Sequence, residues 1–320
     1  MKDKIEKNFK NLSEQVEILK NKSLVVNDEN YTKQILLREN YFFLMGYRHL
    51  FMEPGDKHFI KGTTFEELYS LFLFDRSFRN VLFKYILVIE NNLKSITSYQ
   101  LSKKYGYKEK DYLKAKNFTS DPNKQAQLND LLKKMKRQIR VNVSQHSATQ
   151  HYVSNYGYIP MWILVKVLSF GIVSEMFSIL KPEDQKEIAD VYEIDPESLI
   201  VYLPILANYR NLCAHEDILY ENRTQKYIDD TIYHKLLNIK KEDDYYIQGK
   251  NDLFSLIIIM KQMLNNEDFK NMTVELDNII ETLNFNIRTI NINKVLNRMG
   301  FPNNWKNIAS IERSKDLHEA

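Results

Sequence analysis

At 320 residues, with 43% hydrophobic and 27% charged side chains, the chain can bury one large core or two ordinary ones, at roughly 100 to 200 residues per domain. Forty-five Lys and Arg against 42 Asp and Glu leave a net charge of only +3, which excludes a polyelectrolyte tail and makes any basic surface a local one. Eight glycines and seven prolines are few for a strand-rich fold, and the lone Cys213 excludes an internal disulfide or a cysteine-based zinc cluster, as in a reducing cytoplasm.

Apolar periodicity predicts an all-α protein, with no period-2 run long enough to demand a sheet. The first helix is expected over 3–21, where Ile5, Phe9, Leu12, Val16 and Leu19 make a helical stripe rather than an export signal. Further helices are expected over 29–45, 64–104, 109–115, 124–141, 159–180, 183–192, 196–218, 225–238, 251–265 and 270–284. Asp195 followed by Pro196 is a capped helix start, and Pro204 should bend the helix that follows. The run 158–180 carries only Lys166 and Glu175 as charges, but those charges with Pro160 and Gly171 fit a buried helix better than a membrane span. No repeat, low-complexity linker or boundary appears, so 1–320 is read as a single helical domain.

Charge is unevenly spread. Residues 101–145 hold twelve Lys or Arg against four acids, a local +8 within the +3 chain. The densest part, Lys133, Lys134, Lys136, Arg137 and Arg140, is either a solvated helix face or a set of contacts to a phosphate backbone. Tyr105, Tyr107 and Tyr112 lie in the same stretch and suit base stacking.

Several sites are excluded. The closest glycines, Gly55 and Gly62, are too far apart for a P-loop or dinucleotide fingerprint, and the seven histidines show no convincing metal spacing. Cys213 and His215 are two apart, about 200° around a helix, so they cannot form a thiol–imidazole pair; Cys213 reads as a small packed residue. The run ANYRNLCAHED, 207–217, is more informative. Asn211 and His215 share a face, and Arg210 starts off that face with the reach to fold back. Imidazole moves protons near neutral pH and guanidinium matches the charge on phosphorane oxygens, which suits phosphodiester cleavage. The bland alternative is an exposed helix end with a dipole-stabilised histidine. A second feature is a polar line, Asp75, Arg79 and Glu90, within about 60° on an otherwise apolar helix. It fits an internal Asp75–Arg79 ion pair or a catalytic role, with Glu90 placed to orient Arg210 or His215.

At these residues the sequence resembles the AbiD/AbiF-type abortive-infection proteins, the Abi-like family, within the HEPN superfamily. The resemblance rests on NYFFLMGYRHLF (40–51), FDRSFRNVLFKYILVIENNL (74–93), YIPMWILVKVLSFG (158–171), YRNLCAHEDILYENR (209–223) and MGFPNNW (299–305), and it spans about 35–305 with 101–145 as a basic insertion. It implies a HEPN-type helical bundle with additional terminal helices, and RNA cleavage without metal or other cofactor at Arg210, Asn211 and His215. Asp75, Arg79 and Glu90 match its polar residues on the earlier helix. It further implies a homodimer, a role in phage defence or as a growth-arresting toxin, and in some relatives a small structured RNA as neutralising partner.

Two functions therefore stand at this stage. One is an endoribonuclease leaving 2′,3′-cyclic phosphate, in which His215 is the base, Arg210 stabilises the phosphorane and the second protomer's imidazole protonates the leaving group. The other is a non-catalytic RNA-binding or scaffold protein in which Arg210 and His215 merely hold a helix end or a dimer contact.

Overall fold

The computed structural model describes residues 8–312; the expected start of the first helix at 3–7 lies outside them. The fold is all-α. Among the described residues fifteen α-helices run in the order α1 Leu12–Asn21, α2 Glu29–Glu39, α3 Tyr41–Met45, α4 Phe65–Tyr105, α5 Glu109–Tyr112, α6 Gln125–Asn142, α7 Ser147–Tyr156, α8 Met161–Val167, α9 Phe170–Ser178, α10 Pro182–Ala189, α11 Pro196–Ala214, α12 Ile232–Leu236, α13 Leu253–Met263, α14 Asn266–Asn286 and α15 Ile292–Met299. One hairpin, Lys241–Glu242 with Tyr245–Tyr246, turns through Asp243 and Asp244, both left-handed, as a two-residue type I′ loop requires.

The axis of the molecule is α4, 41 residues and about 60 Å long at 1.5 Å per residue. It lacks Gly and Pro, and it starts at a capping box in which Thr64 accepts from the Glu67 amide and Glu67 reaches back to Thr64. The same Glu67 carboxylate accepts the amides of Arg288 and Thr289, so the chain after α14 is tied to the start of α4. Helices α8, α10, α11, α13 and α14 all pack on α4. Helix α13 is buried on every side, Leu253 to Met260 without exception and all of them apolar but Ser255, which makes it a core helix rather than an amphipathic cover. Among the described residues no helix is long and apolar enough to cross a membrane.

The closing MGFPNNW motif has a packing explanation. Gly300 ends α15 at φ +82°, and a Cβ there would meet the Asp252 carboxyl at 2.1 Å, so only glycine fits. Phe301 then packs edge-on against Phe78, Phe254 and Trp305, joining the C-terminal turn to α4 and α13.

Several expected boundaries shift for local reasons. The helix expected over 29–45 breaks at Asn40, whose backbone is left-handed and whose side chain accepts from the Phe42 amide. That expected over 159–180 breaks at Leu168–Ser169, where extended backbone precedes a new cap from Ser169 to the Ile172 amide. The 225–238 stretch is α-helical only at α12, and α7 and α15 were not expected at all. Asp195 and Pro196 do start α11, which runs on through Pro204 and ends at Ala214 rather than residue 218. Within the basic 101–145 segment, α6 buries Leu128, Leu131, Leu132 and Met135 and packs on α8 and α9.

Candidate active site

The site is built where the end of α11 lies along α4. Tyr209 and Cys213, four apart, face the core, and burial pushes the Cys213 thiol up to about 12, so it is a packed, unreactive group. That register turns Asn211 and His215 outward; both are exposed, and neither side chain has a hydrogen-bond partner among the described residues. His215 is the C-cap, its amide donating to the Asn211 carbonyl at 3.0 Å. Glu216 follows in the left-handed region at φ +56°, and the Asp217 amide donates to the Leu212 carbonyl at 3.1 Å. This six-to-one bond stops the helix in the manner usually assigned to glycine.

Arg210 does not fold back onto His215. Its Nε faces Glu90 Oε2 at 3.6 Å, and its guanidinium lies over the Phe83 ring at 5.6 Å. Glu90 Oε1 accepts from Lys94 Nζ at 2.6 Å, and both of these side chains are buried. Lys94 was missed in the sequence; the Glu90–Lys94 spacing of four is the signal that could have found it.

Asp75 and Arg79 form the expected ion pair at 2.5 Å, both side chains buried. About 16 Å along α4 separates Arg79 from Glu90 at helical rise, so the three polar residues divide into two sites. Asp75 Oδ2 also accepts from Tyr47 Oη at 2.8 Å and the Leu219 amide at 3.0 Å, and its Oδ1 accepts from the Tyr220 amide at 2.8 Å. Arg79 Nη1 donates to the Asp217 carbonyl at 3.1 Å. Burial pushes the Asp75 carboxyl upward, but every partner is a donor, so the pocket accommodates the carboxylate. Arg76 adds a third hold, bidentate to Glu39 and 3.3 Å from Glu216. The contacts run antiparallel: Glu90 to Arg210, Arg76 to Glu216, Arg79 to Asp217, Asp75 to Leu219 and Tyr220. Residues on both sides of His215 are thus fixed to one rigid helix while its imidazole stays open to solvent. Asp75 and Arg79 position the segment and do not reach the open face.

The basic cluster lies on α6. Lys133, Lys136, Arg137 and Arg140 are exposed. Lys134 differs, being held by Asp130 at 2.7 Å and Glu175 at 2.9 Å. Lys133, Lys136 and Arg140 line a cavity of about 540 Å³ together with Glu109, Lys110, Leu113 and Ile139. Tyr105 and Tyr112 are not free to stack, because Tyr105 donates to Asp184 and buried Tyr112 donates to the Ile159 carbonyl. Tyr107 remains exposed.

Searches of curated proteins and of solved structures each return no match. A family model does match, over residues 34–221. That span is more than half of the chain and holds α4, α11 and every contact around His215 given above, while the MGFPNNW motif falls outside it. The match places the chain in a family named for abortive infection, a form of phage defence, and the chain belongs to the Abi-like protein family.

Proposed function

We propose that the protein is a cytoplasmic, metal-independent endoribonuclease of HEPN type, acting in phage defence or as a growth-arresting toxin. The observation that carries this reading is the open pair of Asn211 and His215 on a helix end that α4 clamps on both sides, with Arg210 braced by Glu90 one turn earlier. In the reaction, His215 takes the proton from a ribose 2′-hydroxyl, and the 2′-oxygen attacks the adjacent phosphorus. Arg210 offsets charge on the phosphorane, and the 5′-oxygen leaves as 2′,3′-cyclic phosphate forms. One imidazole cannot stand on both sides of one phosphorus, so the leaving-group proton comes from the partner's His215 in a homodimer. Leu37, Phe42 and Phe43 are exposed apolar side chains on α2 and α3, joined to the His215 turn through Glu39, Arg76 and Glu216, and they offer that dimer a contact. A small structured RNA binding the same face would neutralise the enzyme.

The Arg210–Glu90 contact also favours a second reading, a non-catalytic RNA-binding or scaffold protein in which Arg210 only braces the bundle. Incubating purified protein with end-labelled RNA and excess EDTA separates the two. Cleavage with 2′,3′-cyclic phosphate ends, abolished by His215→Ala in a chain that still folds, supports the enzyme. Cleavage that EDTA stops and that leaves 5′-phosphates, or none at all with wild-type protein that still causes growth arrest, excludes it.

A further inference from the structure

An aromatic surface lies beside the basic cavity and outside the α4–α11 site. Tyr107, after the end of α4, stacks on Trp162 with ring centroids 6.1 Å apart and approaches Tyr158 at 5.6 Å. Tyr156 continues the array, 6.3 Å from Tyr158 and 5.4 Å from Tyr152, and Trp162 Nε1 donates to Tyr152 Oη at 3.3 Å. Tyr107, Tyr156 and Trp162 are respectively 44%, 57% and 42% exposed. Leaving several large rings together in water is unfavourable and marks a surface that something covers.

Charge identifies the occupant. Lys108 Nζ stands 4.9 Å from the Tyr158 ring and 5.8 Å from Tyr107, so the rings are flanked by a cation. The next two residues, Glu109 and Lys110, line the cavity that also receives Lys133, Lys136 and Arg140. The two surfaces share a rigid base, because the Ile159 amide donates to Glu109 and the Tyr112 hydroxyl donates to the Ile159 carbonyl. Ring faces alone would suit an apolar peptide, whereas ring faces continuous with four cations suit a polyanion that carries flat bases. We propose that the rings of Tyr107, Tyr156 and Trp162 form a stacking platform for unpaired bases of single-stranded RNA whose phosphates follow the Lys110–Lys133–Lys136–Arg140 cavity. This deepens, and rests on, the reading of the protein as one that acts on RNA. The platform selects unpaired segments, because bases inside a duplex present no free face.

The chain carries its own reporter. Of its two tryptophans, Trp162 is 42% exposed and Trp305 1%, so quenching by a stacked base reports on Trp162. Full-length His215→Ala protein, used to prevent cleavage, is titrated with a single-stranded RNA of about ten nucleotides, its duplex, and an abasic ribose-phosphate oligomer of equal length. Expected is quenching by the single strand only, with the duplex and abasic oligomer bound on the order of ten-fold more weakly. Tyr107→Ala and Tyr156→Ala should each weaken single-strand binding about ten-fold without changing its salt dependence, and Tyr107→Trp should retain it. Equal binding of base-bearing and abasic strands, unaffected by Tyr107→Ala, overturns the platform and leaves the ribonuclease reading standing. A change of oligomeric mass in Tyr107→Ala with RNA affinity intact overturns it in favour of a protein contact. Absence of any oligonucleotide binding overturns both.

Discussion

Glu90 and Arg210 meet across the α4–α11 seam with Oε2 and Nε 3.6 Å apart, and neither of these buried atoms has a hydrogen-bond partner among the described residues. The other Glu90 oxygen belongs to Lys94, so one carboxylate serves two cations. Glu90→Gln should therefore do two separable things. It frees Arg210, which on the mechanism proposed above lowers RNA cleavage, and it leaves the buried Lys94 ammonium without its counter-charge, lowering stability by roughly 3 kcal/mol. Glu90→Gln with Lys94→Met should recover much of the stability, read as urea midpoint, and none of the cleavage. Recovery of both would mean that Glu90 has no hold on Arg210.

The Asp75 clamp has a different signature. Asp75→Ala strands the Arg79 guanidinium and two backbone amides in the core, a loss of about 3–5 kcal/mol. The urea midpoint should fall accordingly. A loss under about 1 kcal/mol, the scale of an ordinary substitution, would show that residues 217–220 are held by packing alone.

Part of this arrangement was readable in the sequence. The Asp75–Arg79 pair follows from a spacing of four on an apolar helix, and the exposure of Asn211 and His215 follows from the Tyr209 and Cys213 register. The Leu219, Tyr220 and Tyr47 contacts to Asp75 were not readable, because a carboxylate carries no mark of which distant amides it will meet. Glu90 as a partner of Arg210 was readable too, from the polar line on α4, whereas the reach of Arg210 back to His215 is not used, because a long side chain on a half-buried face follows the neighbouring helix. The break at Ser169 was hidden because the apolar run continues across it, so periodicity saw one helix where local capping makes two. That Tyr105 and Tyr112 do not stack, unlike exposed Tyr107, is not legible in composition, which does not separate a stacking ring from one whose hydroxyl is already engaged.

On α6 the cations are unequal. Lys133→Glu and Lys136→Glu should each flatten the log-affinity versus log-salt slope for single-stranded RNA by about 0.7 per lost phosphate contact. Lys134→Glu should leave that slope alone, since Asp130 and Glu175 already neutralise it, and should cost a little stability by facing two carboxylates. Equal slopes for all three variants would place the RNA backbone elsewhere.

Asp252 supplies a pH test away from the candidate site. Burial pushes its carboxyl up to about 6 from an ordinary 3.8, against the opposing amides of Gly249 and Ser255. The native state therefore holds this proton more tightly than the unfolded chain. The stabilisation is full below about 3.8 and is lost as pH rises through about 6. Asp252→Asn keeps an acceptor for the cap but cannot titrate, so its melting temperature relative to wild type should rise between these pH values. A constant difference would mean that Asp252 is ionised throughout.

The partners of Asp75 lie 144 and 145 residues downstream, which sets an order of events during translation. At about 5–20 residues per second, the ribosome needs roughly 7–30 s after making Asp75 to deliver the Tyr220 amide, and until then Asp75 and Arg79 have only each other and Tyr47. A nascent or prematurely terminated chain ending at His215 therefore has the polar stripe without its backbone partners and keeps only the Glu90–Arg210 contact to hold that helix end. On the ribonuclease reading proposed above, the nascent chain would thus stay inert on the ribosome until synthesis had passed His215.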